Sequence, residues 1–257
     1  MAKIISLVNQ KGGTAKTTTT VNLGAYLAAM GKYVLLIDLD PQANATSGVG
    51  VNRDNTDKTL YHILANQAPF DEIIKKTSLF GYDIIPSSSD LAGAVVELIN
   101  DSRREFKLYD VLHSIRTNYD YILIDCPPSL GLLTINGLTA ADSVIIPVQC
   151  EYYALEGLSQ LLKTIQLVKE NLGSEVGIMG ALLTMYDKRN RLAREVVKEV
   201  RLNFPGRVFD AIIPRCVRLA EAPSFGQTIL QFDVKSAGAQ AYRQLAEEII
   251  NLESSNT

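Results

Sequence analysis

The residues best suited to chemistry lie together near the start of the chain, in the segment Lys11-Gly12-Gly13-Thr14-Ala15-Lys16-Thr17-Thr18. An apolar stretch from Ile4 to Val8 precedes this segment and predicts a strand, and the residues after it have the spacing of a helix. A strand that turns through glycines into a helix N-terminus directs backbone N–H groups and the positive end of the helix dipole toward one point. The segment therefore predicts a phosphate-binding loop.

This loop departs from the regular phosphate-loop pattern G-x-x-x-x-G-K-[ST] at two positions. Gln10 stands where the first glycine belongs, and Ala15 stands where the second belongs. The backbone φ angle at Ala15 decides what the added methyl group does. With a negative φ the alanine is tolerated, whereas a positive φ strains the backbone by about 1 to 3 kcal/mol and would lower nucleotide affinity about tenfold or more. Since the two loop lysines, Thr17, Asp40 and Asp125 are all present, we predict that nucleotide binding is retained.

Carboxylates follow two further predicted strands. Asp38 ends an apolar stretch, Asp40 lies two residues later, and Asp125 ends a second apolar stretch. The carboxyl ends of strands are where α/β sheets gather their ligands. A nucleotide-hydrolysing site needs a hydroxyl on Mg²⁺, a carboxylate that holds the water shell of the metal, and a group that orients the attacking water. We predict Thr17, Asp125 and Asp40 for these roles, in that order.

Strand-like and helix-like segments alternate along almost the whole chain, which favours a parallel sheet covered on both faces. The predicted strands are Ile4–Val8, Tyr33–Asp38, Tyr82–Pro86, Tyr121–Asp125, Ser143–Val148, Val176–Thr184 and Arg207–Ile213. The clearest predicted helices are Lys16–Met30, Lys107–Thr117, Ala154–Asn171, Asn190–Phe204 and Ala237–Leu252. We expect an α/β fold, with a mostly parallel twisted sheet and helices on both faces. It forms a single domain over residues 1–257, with a frayed tail at 253–257.

Composition and segment lengths exclude several classes of protein. With 47% hydrophobic and 21% charged residues, the chain has the composition of a soluble globular protein. Its apolar runs fall far short of the roughly 20 residues of a membrane helix. The N-terminus shows no secretory signal, so we expect a cytoplasmic protein without a membrane span. Cys126, Cys150 and Cys216 show no C-x-x-C spacing and are expected to be reduced packing residues.

Basic residues are concentrated in one part of the sequence. Residues 186–218 contain nine basic and four acidic residues, although the whole chain has a net charge of -3. Such an asymmetry allows an acidic protein to present one basic face to nucleic-acid phosphates. The alternative is that these charges solvate an amphipathic helix, and charge by itself does not separate the two.

The chain resembles the ParA family of DNA-partitioning ATPases, and is close to its short chromosomal type, often called Soj. The resemblance covers nearly the whole chain and rests on the segments KGGTAKTTTTVNLG, LLIDLDPQANATSG, YDYILIDCPPSLGLLTINGLTAADSVIIPVQCEYYALEGLSQL and IPRCVRLAEAPSFG. It implies the deviant Walker A P-loop NTPase fold and a dimer that forms on ATP binding, with both nucleotides at the interface.

The resemblance implies ATP and Mg²⁺ as cofactors, and a slow, partner-stimulated hydrolysis of ATP to ADP and phosphate. The nucleotide contacts that it implies are Lys11, Gly12, Gly13, Thr14, Ala15, Lys16, Thr17 and Thr18, with Pro214 and Arg215 at the adenine. The implied catalytic residues are Lys11, Lys16 and Asp40, and the implied metal contacts are Thr17, Asp38 and Asp125. Lys16 would bind the phosphates of its own subunit, and Lys11 would cross to those of the partner. A second cation of this kind stabilises the charge that develops on the transferring phosphate.

The resemblance also implies macromolecular partners. These are non-specific double-stranded DNA, contacted by the ATP-bound homodimer, and a ParB-type protein that stimulates hydrolysis. The predicted DNA contacts are Arg189, Arg218, Lys188 and Arg191, the first two expected in loops bordering the helix Asn190–Phe204. Contacts of this kind read the backbone and not the bases. The expected function is chromosome or plasmid segregation on the nucleoid, inside the cytoplasm.

Other classes share parts of this pattern. A MinD-like, membrane-associated ATPase that positions cell division has the same loop and acids, but ends in a basic amphipathic helix. The end of this chain is acidic through Glu247, Glu248 and Glu253, which anionic lipid repels. Iron-sulfur relatives of the fold need a pair of cluster-binding cysteines, and Cys126 has no suitably spaced second cysteine. A non-enzymatic binding module is the remaining alternative.

Overall fold

The computed structural model describes residues 1–52, 56–151 and 154–254. Its described strands form one eight-stranded sheet in the order β3-β4-β2-β5-β1-β6-β7-β8. Their bounds are β1 Lys3–Leu7, β2 Val34–Asp38, β3 Lys75–Lys76, β4 Tyr82–Ile85, β5 Tyr121–Asp125, β6 Ser143–Gln149, β7 Gly177–Tyr186 and β8 Val208–Pro214. All pairings are parallel except that of β3 with β4. The expected mostly parallel sheet is confirmed, and β3 is an addition at its edge.

Eleven α-helices are described, and each of the five expected ones is present within two residues of its predicted bounds. They are α1 Lys16–Ala29, α2 Asn44–Gly48, α3 Leu60–Leu64, α4 Leu91–Glu97, α5 Lys107–Ile115, α6 Leu132–Ala140, α7 Ala154–Leu172, α8 Arg191–Asn203, α9 Val217–Glu221, α10 Ile229–Phe232 and α11 Ala237–Ser254. The short helices and α6 were not predicted from the sequence.

The helices cover both faces of the sheet. Buried side chains of α3 to α8 pack with one face in one hydrophobic cluster. Those of α1, α2, α9, α10 and α11 pack with the opposite face in a second cluster. Parallel strands buried on both sides read as continuous apolar runs, and β2 and β5 are buried at every position. The two-sided α/β architecture is therefore confirmed.

The order of the strands reverses at β1, which lies between β5 and β6. In open α/β sheets, ligands bind beyond the carboxyl ends of the strands at such a reversal point. The register places Leu7 at the end of β1 beside Asp125, and Asp125 beside Asp38. The loops that follow β1, β2 and β5 therefore meet at one place.

The C-terminal tail differs from its prediction in its first residues. Glu253 and Ser254 form the last turn of α11 and are not frayed. The hydroxyl of Tyr121, at the start of β5, donates to Glu253 Oε2 at 2.6 Å and fixes this turn against the sheet. Residues 255–257 of the predicted tail lie outside the described residues.

Candidate nucleotide site

The backbone of the loop between β1 and α1 is fastened at both ends by uncharged side chains. Asn9 Oδ1 accepts from the backbone N–H of Lys11 at 2.9 Å, and Asn9 Nδ2 donates to the carbonyl of Pro147 at 2.7 Å. On the other side, the buried Thr184 hydroxyl donates to the carbonyl of Thr14 at 3.0 Å. Neither Asn9 nor Thr184 was singled out from the sequence, because no motif marks a side chain that binds only backbone.

The φ angle at Ala15 is +68°, with ψ at +30°, so this residue is left-handed. Gly13 is left-handed as well, with φ at +74°, but glycine adopts that region without a Cβ clash. For an alanine the left-handed region costs roughly 1 to 2 kcal/mol. Of the two outcomes considered for Ala15, the structure therefore shows the strained one.

The two lysines of the loop differ in exposure. Lys16 has only 6% of its surface exposed, and its Nζ donates to the carbonyl of Lys11 at 3.0 Å. Burial lowers the pKa of Lys16, and the nearby Asp125 and Asp40 carboxylates oppose this shift. Lys11 is exposed on the outside of the loop. One cation therefore faces the interior of the site, and the other is presented outward.

Asp125 is fully buried at the end of β5. Its Oδ1 accepts from the Thr20 hydroxyl at 3.1 Å, whereas its Oδ2 has no hydrogen-bond partner. Burial, and to a smaller extent the neighbouring Asp38, raises the pKa of Asp125 to about 8 against the opposing effect of the Thr17 and Thr20 hydroxyls. A buried carboxylate oxygen without a partner is costly, and a cation or its bound water would satisfy it.

Asp38 is also fully buried, but both of its oxygens are already used. Oδ1 accepts from the backbone N–H of Asp40 at 3.2 Å. Oδ2 accepts from the backbone N–H of Thr46 at 2.8 Å and from its hydroxyl at 2.7 Å. Burial raises the pKa of Asp38 to about 6, against the effect of the Thr46 bonds. Its geometry suits a direct metal ligand less well than that of Asp125.

The remaining acid, Asp40, lies in the loop after β2 with 7% of its surface exposed. Its Oδ1 accepts from the backbone N–H of Gln42 at 2.9 Å. Thr17 lies half-buried in the first turn of α1. The structure therefore brings Lys16, Thr17 and the three predicted acids together at the carboxyl edge of the sheet.

These residues are suited to a magnesium ion whose coordination shell is completed by the phosphates of a bound nucleotide. Within residues 1–52, 56–151 and 154–254, no three His, Cys, Asp or Glu side chains could hold a metal by themselves. Mg²⁺ in nucleotide sites keeps several waters and takes only one or two protein ligands, with phosphates completing its shell. Asp125 Oδ2, which has no hydrogen-bond partner, and the nearby Thr17 hydroxyl are two such protein groups.

A cavity of about 330 Å³ adjoins the loop. Pro214 and Arg215 line this cavity together with Ala15 and Thr18 of the loop. Its other walls are mostly apolar and include Met185, Ile213, Val217, Leu219 and Tyr242. Apolar walls with a few polar groups are typical of a site for a flat ring system. The predicted adenine residues thus lie where a base attached to loop-bound phosphates could reach them.

The predicted DNA contacts are exposed, but one lies in a different element from the one expected. Lys188 and Arg189 lie in the loop after β7, and Arg191 begins α8. Arg218 lies within α9 and not in a loop. Its guanidinium pairs with Glu221 at 2.9 Å and with Asp233 at 3.5 Å.

Two of the other predicted DNA contacts are also paired with acids of this chain. Arg189 forms a two-point pair with Asp187, at 3.0 and 3.1 Å, which lowers the pKa of Asp187 to about 2. Arg191 pairs with Glu195 at 2.9 Å. Exposed pairs of this kind contribute little stability, so these arginines are available to other anions.

The fold and the site together define a class. A parallel sheet whose first strand turns through a glycine-containing loop into a helix that begins Lys-Thr, with an acid at the end of the neighbouring strand, is the architecture of the P-loop nucleoside triphosphatases. The expected fold class is therefore confirmed.

Comparisons with known proteins narrow this class. Residues 2–178 match the model of a family described as an AAA domain. Soj, the sporulation initiation inhibitor protein of Bacillus subtilis (strain 168), is 54% identical over 97% of this chain and 98% of its own length. The chromosome partitioning protein ParA of Caulobacter vibrioides (strain NA1000 / CB15N) is 51% identical over 98% of this chain and 95% of its own. The chain belongs to the ParA/Soj family of chromosome-partitioning ATPases.

Solved structures agree with the fold. A protein titled cobyrinic acid a,c-diamide synthase from Mycobacterium smegmatis, with bound ADP and magnesium, has a TM-score of 0.89 and 36% identity, covering 100% of this chain and 97% of its own. The septum site-determining protein MinD of Pyrococcus horikoshii, complexed with Mg-ADP, has a TM-score of 0.81 and 30% identity, covering 100% of this chain and 99% of its own.

The MinD-like alternative is therefore less well supported than the partitioning family. The two partitioning relatives are 54% and 51% identical to this chain over the aligned residues, against 30% for the MinD structure. None of the helices in the described part of the chain combines the length and the apolar composition that crossing a bilayer requires. The predicted family and ATPase activity are confirmed, whereas the individual site residues stay predictions.

Proposed function

We propose that this protein hydrolyses ATP, with Mg²⁺, to drive a cycle of dimerisation, DNA binding and release that segregates chromosomes or plasmids. A ParB-type partner would stimulate hydrolysis and so end the DNA-bound phase. The observation that carries the proposal is the pair of lysines on one loop, Lys16 buried in the site and Lys11 exposed on the outside. Family membership supports the same cycle.

The loop would hold the β- and γ-phosphates of ATP. Residues 11 to 18 supply backbone N–H groups at the N-terminus of α1, where the helix dipole favours negative charge. Lys16 would exchange its bond to the Lys11 carbonyl for a phosphate oxygen, and the negative charge of the phosphate would offset the cost of burying the lysine charge. The adenine would occupy the apolar cavity beside Pro214 and Arg215.

Bound Mg²⁺ supplies neutralisation of the charge that spreads over the β- and γ-phosphate oxygens during transfer. Thr17 would hold the ion directly, and Asp125 would hold its water shell. Asp40 would orient the water that attacks the γ-phosphorus, because it is the acid of the site with neither full burial nor complete hydrogen bonding. A water held in this way is already placed for attack on the γ-phosphorus, so the reaction does not depend on a chance collision.

Lys11 would complete the site of a second copy of this chain. The backbone N–H of Lys11 is held by Asn9, and this bond would remain when Lys16 leaves the Lys11 carbonyl for the phosphates, while the side chain of Lys11 is exposed. A fixed backbone with an exposed cation is suited to reaching across an interface. Hydrolysis would then require a homodimer, because an isolated subunit has only Lys16 at the phosphates.

The DNA surface would be formed by Lys188, Arg189, Arg191 and Arg218. They are exposed, and they follow β7 and β8, whose carboxyl ends lie at the same edge of the sheet as the loop. Dimerisation at that edge would bring two such surfaces together. The summed charge raises affinity for a phosphate backbone of any sequence.

A location on the nucleoid in the cytoplasm follows from this proposal, as does a single ATPase domain over residues 1–257. Membrane association is not part of it. The last turns of α11 carry Glu247, Glu248 and Glu253, and a negative helix end is repelled by anionic lipid.

The proposal is tested by titrating the protein into fluorescently labelled double-stranded DNA with ATP, ADP or no nucleotide, while light scattering follows its mass. We expect tight DNA binding and dimers with Mg-ATP only. Asp40→Ala should bind ATP, stay dimeric and hold DNA for much longer. Prompt dissociation of the Asp40→Ala protein from DNA would contradict the role of Asp40.

The DNA surface is tested by the double charge reversal Arg189→Glu and Arg218→Glu. We expect DNA binding to be lost while ATP-dependent dimers persist. The matched control reverses Arg103 and Arg243, which are similarly exposed and paired with Asp110 and Glu247. If both double variants lose DNA binding equally, the effect is one of net charge and the proposed surface is wrong.

A further inference from the structure

The loop that carries Asp40 is closed into a ring by a single carboxylate. Asp38, at the end of β2, accepts from the backbone N–H of Asp40 on one oxygen. On its other oxygen it accepts from both the backbone N–H and the hydroxyl of Thr46, in α2. The two ends of residues 40–46 are thus held by the same side chain, so the position of Asp40 depends on both attachments.

The hydroxyl of Thr46 does more than close this ring. It donates to Asp38 Oδ2 at 2.7 Å and accepts from the backbone N–H of Ser87 at 3.0 Å. Ser87 follows β4, the neighbouring strand of β2 in the sheet. Thr46 is fully buried, so water does not replace either bond. One hydroxyl therefore joins α2 to the ends of two adjacent strands.

The ring also contains a backbone conformation that needs external support. Ala43 is left-handed, with φ at +52°, and only 1% of its surface is exposed. Its N–H donates to the carbonyl of Asp40 at 2.9 Å. An alanine keeps this strained conformation only where its surroundings determine it. The bonds between Asp38 and Thr46 help to fix the residues on either side, together with the bonds that the N–H and hydroxyl of Ser47 donate to the Ala43 carbonyl.

We propose that Thr46 is a positioning residue for hydrolysis, whose hydroxyl holds the Asp40 loop in register with the ends of β2 and β4. This inference rests on the proposed water-orienting role of Asp40. Thr46 itself would contact neither the phosphates nor the attacking water. Without its hydroxyl, Asp38 Oδ2 keeps only the backbone bond, and Ser87 loses its acceptor. The strained loop then relaxes, and a shift of about 1 Å at a reacting group can lower a rate about a hundredfold.

The test compares Thr46→Val, which removes the hydroxyl at nearly constant volume, with Thr46→Ser, which keeps it. Basal Mg-ATP hydrolysis of the full chain is measured over a range of ATP concentrations, with circular dichroism melts alongside. For Thr46→Val we expect kcat to fall about tenfold or more, with KM for ATP within about threefold of the parent. Thr46→Ser should stay within about twofold of the parent kcat, because both of its bonds are kept.

Three further variants separate the possible explanations. Thr139→Val also removes a buried threonine hydroxyl, but from α6, where it donates to the carbonyl of Glu105. It should leave kcat unchanged. If Thr46→Val fails to fold, Thr46→Ala, with less bulk at this site, replaces it in the same comparison. Asp40→Ala tests the underlying proposal directly.

The outcomes are distinct. A loss of kcat in Thr46→Val that Thr46→Ser restores, with normal Thr139→Val, supports the positioning role. A normal kcat in Thr46→Val beside an inactive Asp40→Ala overturns the inference and leaves the proposed function standing. A loss seen only in KM, or one that Thr46→Ser shares, also overturns it. An active Asp40→Ala overturns both the inference and the role of Asp40.

Discussion

Replacing Ala15 by glycine should stabilise the protein, because Ala15 is left-handed in the structure. Its φ of +68° is a conformation that glycine adopts without a Cβ clash. Relief of the clash is worth roughly 1 to 2 kcal/mol. Glycine gives back about 0.4 to 1 kcal/mol, because it leaves the unfolded chain with more freedom. Taken at the middle of each range, the net gain in the free energy of unfolding is about 0.8 kcal/mol.

The gain should appear in stability and not in nucleotide affinity, so the lower affinity expected from a positive φ does not follow. The strained φ is already present without a ligand, so its cost belongs to folding and is the same before and after binding. A chain of this length gains about 2 to 4 °C in Tm per kcal/mol, so we expect Ala15→Gly to melt about 1 to 4 °C higher. The Kd for Mg-ATP, measured by isothermal titration, should change by less than about threefold.

A matched control changes alanine to glycine where φ is negative. Ala28 lies inside α1, and its replacement by glycine should lower the free energy of unfolding by about 1 kcal/mol. The two substitutions therefore have opposite expected signs. An unchanged Tm for Ala15→Gly together with a tenfold tighter Kd would refute the reasoning, since the strain would then arise on binding.

The remaining predictions concern charge. Asp187→Asn frees Arg189 from its two-point pair and should tighten DNA binding about two- to fivefold with ATP, as expected for an exposed ion pair. Equal tightening in Glu247→Gln, which frees Arg243 elsewhere, would count against a local effect. Burial raises the pKa of Asp125 to about 8, so the folded protein without ligand binds a proton that the unfolded chain releases. The free energy of unfolding should therefore fall as pH rises from about 4 to 8. Melts of Asp125→Asn should lack that part of the slope, and identical slopes in both proteins would contradict the assigned pKa.

The main elements of the fold could be predicted because their sequence patterns are strong. The central strands are buried on both faces and appear in the sequence as apolar runs. Their predicted bounds therefore lie within two residues of the observed bounds. The edge strand β3 has two residues, both lysine, and exists only through its pairing with β4. Helix α6 was missed because it is buried at most positions and has no polar face to give a periodic pattern.

The candidate site also contains residues that the sequence predicts and residues that only the structure reveals. Lysines, acids and the glycine-containing loop are chemical groups with a recognisable spacing, and the structure brings Lys16, Thr17, Asp40 and Asp125 together as expected. Asn9, Thr184 and Thr46 could not be found in this way. Their side chains bind backbone groups and buried neighbours that are distant in sequence, such as Pro147, Thr14 and Ser87.

By itself, the sequence determined the class of fold and indicated the phosphate loop and its acids, because periodicity and motif spacing are local properties of the chain. Its resemblance to known sequences indicated the family. Only the tertiary structure decided the state of Ala15, since a backbone angle depends on what holds the loop on both sides. It also showed that Asp38 Oδ2 accepts two hydrogen bonds from Thr46, whereas Asp125 Oδ2 is buried without a hydrogen-bond partner. Hydrogen bonds between residues far apart in sequence determine which of several equivalent acids is available, and those bonds form only when the strands pair.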